Sequence, residues 1–267
     1  MTGETLRAGR FDVPSTQTDI IGVVGGVGPY SGLDLAAKIF ANTLAGGDQE
    51  HLPVLVFSLP ELIPDRTAFL LDPSRPDPAP PLLDILRRLY LAGARVMGIP
   101  CNTAHAAPIF DRVRAAAAEL GPEARLVNML EETALHLKQN LRPETRTAVL
   151  STLGTYHSGV YADYFNKHEL PFIDPGPEAM ARVHEAIYHP EYGIKSRPLP
   201  VAPQAVEVLR KVILDLKKQG ATQVVLGCTE LPLALTGKVF VGLNLVDPTV
   251  ILARALIAQA APHKLRP

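Results

Sequence analysis

Short apolar runs rich in β-branched residues alternate along the chain with longer amphipathic or alanine-rich stretches, the pattern of a parallel sheet covered by helices. The runs predict strands over residues 20–24, 54–59, 96–99, 126–128, 147–150, 171–173 and 223–226, with a weaker one over 239–241. The longer stretches predict helices over 31–44, 81–92, 104–120, 130–140, 158–167, 177–188, 204–219 and 248–260. Proline marks the joints: five lie within 72–81 and three within 197–203, so both segments read as loops. The fold class is α/β.

The pattern repeats. Residues 22–28 and 148–155 are both apolar strands emptying into small residues. Cys101 lies 76 residues after Gly25 and Cys228 lies 77 after Ser151, each at the end of an apolar strand (VMGIPC and VVLGC). Two similar halves follow, each a parallel sheet flanked by helices, with the natural ligand site in the cleft at the carboxyl ends of their strands.

Composition narrows the function classes. The 267 residues are 47% hydrophobic and 20% charged, enough for one large or two small globular bodies. Lys and Arg total 26 against 27 Asp and Glu, a formal charge of -1, which argues against nucleic-acid or anionic-membrane partners. Residues 1–19 are polar, read as a flexible tail and carry no apolar export signal, and no run of eighteen apolar residues marks a membrane span. A cytoplasmic protein with both cysteines reduced is expected. Two cysteines are too few to build a fold from disulfides.

Their surroundings are the chemistry. Cys101, where a strand meets an alanine-rich helix, is expected at a helix amino terminus, where free N–H groups and the dipole favour a thiolate. Cys228 repeats the arrangement. A lone cysteine after a strand reads as a small buried hydrophobe, but a matched pair favours function. Asn102, Thr103 and Thr229 follow the cysteines and suit either helix capping or a ligand carboxylate. His105, one helical turn from Cys101, is placed as support behind the thiol rather than as its base, and Glu230 is a helix-start acid or a group supporting Cys228. The glycine loop 25–32 (GGVGPYSG) lacks dinucleotide and P-loop spacing, so the backbone near Gly26 is expected to cradle a small carboxylate. Arg66 and Lys195 stand beside loops, 41 residues beyond Gly25 and 44 beyond Ser151, so each half supplies one cation to the cleft. No cysteine or histidine spacing suits a metal.

Residues 100–105 (PCNTAH) and 227–232 (GCTELP), one motif per half, resemble the cofactor-independent aspartate/glutamate racemase family, in particular its aspartate racemase branch. The resemblance extends to 25–29 (GGVGP), 48–51 (DQEH), 63–67 (IPDRT), Ile187-Tyr188, Ile194-Lys195 and 246–249 (VDPT), and runs from about residue 20 to 261. It implies two domains related by a pseudo-twofold axis, with the carboxyl-terminal helix returning to the first: 20–128 plus 238–267, and 129–237. It also implies a homodimer, no cofactor, and a small dicarboxylic amino acid as substrate, aspartate and, less specifically, glutamate. Cys101 and Cys228 would exchange a proton with opposite faces of the substrate's α-carbon. Arg66 and Lys195 would hold its carboxylates, with Asn102, Thr103, Thr229 and loop groups near Gly26 and Thr152 stabilising the developing charge. The sequence departs from the family pattern in its tail, its proline-rich loop and extra residues 189–193 before Lys195, and the last bears on substrate choice. The alternatives are a maleate isomerase or hydantoin racemase reaction with the same cysteines, and a non-catalytic amino-acid-binding regulator.

Overall fold

A computed structural model describes residues 18–25 and 27–267. The first sheet has the order β2-β1-β3-β4, built from β1 (Ile20–Gly25), β2 (Val54–Ser58), β3 (Ala94–Gly98) and β4 (Arg125–Val127). All its pairings are parallel. The second has the order β6-β5-β7-β9-β8, from β5 (Thr147–Ser151), β6 (Phe172–Ile173), β7 (Gln223–Gly227), β8 (Val239–Phe240) and β9 (Leu243–Val246). Only β8 and β9 pair antiparallel in it. Helices cover both sheets, which is why β1 is buried at every position and β7 at all but its first.

Most elements fall where periodicity places them, and the exceptions have physical causes. The helix expected over 104–120 begins only at α4 (Ala107–Ala118), because Pro108 lacks an N–H and its ring excludes a preceding helical turn. Residues Thr103–His105 form a separate 3-10 turn instead. The helix expected over 158–167 is preceded by α6 (Leu153–His157) and starts as α7 (Val160–Lys167), the two divided by Gly159 at φ 68°. Arg66, expected in or beside a loop, opens a short helix, α2 (Arg66–Leu71), whose N-cap Asp65 accepts the Ala68 N–H at 2.8 Å. Pro80 and Pro81 lie not in the proline-rich loop but in the first turn of α3 (Ala79–Leu91), where missing N–H groups cost nothing.

The segment 239–246, expected with the first domain, hydrogen-bonds into the second sheet. β9 pairs with β7, and Val241 and Gly242, both at positive φ, turn the chain between β8 and β9. The chain therefore returns to the first half only after Val246. It does so as α11 (Pro248–Ala260), which packs on α1 (Pro29–Ala41), α5 (Met129–Gln139) and β3. Ile251, Leu252, Leu256 and Ile257 are buried there, each contributing about 1.5–3 kcal/mol over exposure. Val225 of the second sheet and Phe165 of α7 share this apolar cluster, so one core spans both halves and fixes the cleft between them.

Candidate active site

β3 and β7 run parallel within their own sheets and end at the cleft, delivering Cys101 and Cys228 to its two sides; they are 7% and 6% exposed and both are free thiols. A single pocket is lined by both, together with Arg66, Asn102, Thr103, Thr152, Lys195, Thr229 and Glu230. These are the residues singled out above. Gly26 lies outside the described residues, and His105 lies behind the wall rather than on it. Val27, Thr67 and Tyr188 complete the lining. Each lies inside a motif that carries the family resemblance, but nothing in its residue type or spacing marks its side chain for chemistry. The pocket is drawn tight, with room for about one water molecule. A wider vestibule of about 280 Å³, walled by Tyr30, Pro60, Ile63 and Pro198, shares Arg66, Lys195 and Glu230 with it.

Charge is organised around Glu230. Its Oε1 takes a hydrogen bond from Lys195 Nζ at 3.2 Å, and its Oε2 takes one from the Cys228 thiol at 3.0 Å. Burial alone would raise the Glu230 pKa, but Lys195, the Cys228 S–H and Arg66 more than offset it, so the group is an anion held below the ordinary glutamate range. Burial and that anion push the Cys228 thiol well up, with Lys195 opposing. The thiolate expected here from a helix terminus is thus reversed: α10 (Leu231–Ala234) has four residues, too short a dipole to outweigh a buried carboxylate. The turn after Cys101 is likewise a 3-10 turn rather than a helix start. Lys195 is opposed by burial, but Glu230, Cys228 and Tyr188 together raise it, and its ammonium stands 5.1 Å over the Tyr188 ring.

On the other side, the Arg66 guanidinium donates to the Val27 carbonyl and, at 3.0 Å, to the Pro64 carbonyl. Burial opposes its charge, while the Cys101 thiol and the Asp65 carboxylate favour it. Its Nε is buried without a partner among the described residues. A cation therefore faces each cysteine. Tyr188 donates to Asp65 at 2.9 Å, which ties α8 (Pro177–Tyr188) to the cap of α2. Four threonines stitch the halves together: Thr67 to Thr152 at 3.1 Å, Thr103 to Thr152 at 3.3 Å, Thr103 to Thr155 at 2.8 Å and Thr152 to Thr155 at 3.2 Å.

His105 is a structural support. Its Nδ1 meets the Cys101 carbonyl at 2.8 Å and its Nε2 meets the Met129 N–H at 3.3 Å. A carbonyl only accepts and an amide N–H only donates, so the proton sits on Nδ1. Burial lowers its pKa to about 4, with the bond to the Cys101 carbonyl opposing, and the neutral ring stacks on Phe110. Among the described residues no group of three or more His, Cys, Asp or Glu side chains is placed to hold a metal ion, and no helix is long and apolar enough to cross a membrane.

Two α/β halves whose strands deliver one buried thiol each to a shared pocket, with a cation beside each thiol, define a two-thiol enzyme-like cleft. The sequence profile described as Asp/Glu/Hydantoin racemase matches residues 24–256, and the chain belongs to that family. Among solved structures it is similar to the aspartate racemase of Picrophilus torridus, at 26% identity and a TM-score of 0.75, over 90% of this chain and 94% of that one. The glutamate racemase of Francisella tularensis, in complex with D-glutamate, shares the fold at 15% identity and a TM-score of 0.63, over 90% of this chain and 80% of that one. A glutamate racemase of Pseudomonas aeruginosa is 31% identical over 146 residues, 52% of this chain, so the match spans about half (47%) of that relative's length.

Proposed function

We propose that the chain is a cofactor-independent racemase that interconverts L- and D-aspartate by moving a proton between Cys101 and Cys228. The observation that carries this reading is that two thiols 127 residues apart in sequence line one closed pocket together with Arg66 and Lys195. Two cations suit two carboxylates, and two thiols on different walls suit an α-carbon approached from both faces. The likeness to an aspartate racemase over nearly the whole chain supports aspartate over glutamate.

In one direction the Cys101 thiolate takes the α-proton, and the electron pair of the broken C–H bond is delocalised into the α-carboxylate. Cys228 then delivers its S–H proton to the opposite face and becomes the thiolate. The reverse direction exchanges the roles. Glu230 orients the Cys228 proton beforehand through the 3.0 Å hydrogen bond and, as an adjacent anion, drives the thiolate left behind to take up a proton again. Lys195 neutralises that corner. Proton transfer by positioned groups contributes roughly 10²–10⁴-fold, the threonine hydroxyls stabilise the developing charge, and Arg66 and Asn102 hold a substrate carboxylate equally in the ground and transition states.

The test follows the optical activity of each enantiomer of aspartate and glutamate with no cofactor added. Both aspartate solutions should decay to zero rotation and the glutamate solutions more slowly. Faster decay of glutamate overturns the substrate assignment, and no decay of any overturns the reaction.

A further inference from the structure

We propose that Tyr161 is a positioning residue that turns the Asn102 side chain so that its NH₂ group faces the pocket. The proposal rests on the racemase reading and adds to it a residue outside the pocket lining. Tyr161 lies in the first turn of α7, 7% exposed, and its hydroxyl meets Asn102 Oδ1 at 2.6 Å. That separation is of O–H···O length and short for N–H···O, so the phenol donates and the amide oxygen accepts. Burial, with the neighbouring Cys228 and Asp247 adding, keeps the phenol protonated and able to donate. The oxygen of Asn102 is thereby committed, and its Nδ2, also buried, has no hydrogen-bond partner among the described residues. Asn102 directly follows Cys101 and lines the same pocket, so the uncommitted donor is presented to whatever carboxylate binds there.

The Tyr161 ring is held as firmly as its hydroxyl. A Cβ on Gly227 would stand 3.2 Å from Tyr161 Cε2, so the ring lies against the backbone of the residue just before Cys228. Phe165, one turn further along α7, meets it edge-on at 5.8 Å. Tyr161 thus rests its ring on the end of β7, just before Cys228, and anchors the side chain that follows Cys101. Without the hydroxyl the amide is free to rotate, and the rotated form presents its oxygen to the substrate carboxylate, where it repels.

The experiment compares KM and kcat for aspartate in the wild type, Tyr161→Phe, Asn102→Ala, the double variant and Tyr164→Phe. Tyr161→Phe should raise KM about tenfold with kcat within about twofold, and should add nothing further in the Asn102→Ala background. Tyr164→Phe, loss of a hydroxyl on the same helix that meets Asn128 instead of Asn102, should lower the thermal midpoint and leave KM unchanged. An unchanged KM in Tyr161→Phe, penalties that multiply in the double variant, or an equal rise of KM in Tyr164→Phe overturns the proposal while the racemase reading stands. No turnover by the wild type overturns that reading and this proposal with it.

Discussion

Gly154 is a point where the two halves of the site press backbone against backbone, and one methyl group there should cost activity as well as stability. A Cβ at this position would lie 2.6 Å from Thr67 Cα, 2.9 Å from Thr67 Oγ1 and 3.0 Å from Thr67 Cβ. Backbone cannot swing aside as a flexible side chain does. To reach ordinary contact at about 3.4 Å, α2 must retreat by about 0.8 Å from α6. Thr67 is bonded to Thr152 at 3.1 Å and follows Arg66 directly, so the same retreat withdraws the guanidinium from the pocket. A misplacement of about 1 Å costs on the order of 10²-fold in rate, whereas local overpacking costs about 1–3 kcal/mol of stability. Gly154→Ala should therefore lose roughly 10²-fold in kcat/KM for aspartate α-proton exchange while still unfolding cooperatively in urea. Gly159→Ala is the control: its φ of 68° is strained for alanine by about 1–2 kcal/mol, but a Cβ there meets nothing within 4 Å. It should lose stability and keep its kcat/KM. Wild-type kcat/KM in Gly154→Ala, or equal activity losses in both variants, would show that the contact with Thr67 does not position Arg66.

Replacing either thiol, Cys101→Ser or Cys228→Ser, should abolish racemisation while leaving aspartate binding measurable by calorimetry; retained racemisation in either variant contradicts a two-thiol transfer. Arg66→Ala should raise KM by roughly 10²–10³-fold, because a buried substrate carboxylate left without its cation costs about 3–5 kcal/mol, and steady-state kinetics with KM unchanged would remove Arg66 from the site. His105 makes folding stability pH-dependent. Its folded pKa of about 4 lies below the ordinary 6.5, so below 6.5 the unfolded chain binds the proton first. The stability it contributes is complete above pH 6.5 and is lost as pH falls to about 4, by up to about 3 kcal/mol. Urea unfolding should show that loss in the wild type and a flatter limb in His105→Gln.

How far the chain announces this arrangement differs from residue to residue. The buried strands are legible because parallel strands covered on both faces read as continuous apolar runs, as β1 and β7 do. Cys101, Cys228 and their polar followers are legible because the same small motif ends a strand in each half. β9 is not, since Leu243–Val246 is four residues long and its pairing with β7 is a tertiary fact. The charge states are not legible either. Cys228 is neutral because Glu230, two residues on, is buried and ionised, and Glu230 is ionised because Lys195 reaches it from 35 residues away. Burial decides the sign there, and local sequence carries little of it. Tyr161 is the most distant case, 59 residues from the Asn102 it holds and unmarked by any pattern around it.

Proton transfer between two thiols on opposite faces leaves an isotopic signature when unlabelled L-aspartate is racemised in D₂O and both enantiomers are analysed at low conversion. The D-aspartate formed should carry deuterium at its α-carbon while the remaining L-aspartate still carries protium, since one thiol removes the proton and the other delivers a solvent-derived deuteron. Deuterium appearing equally early in the remaining L-aspartate, or in neither enantiomer, would contradict it.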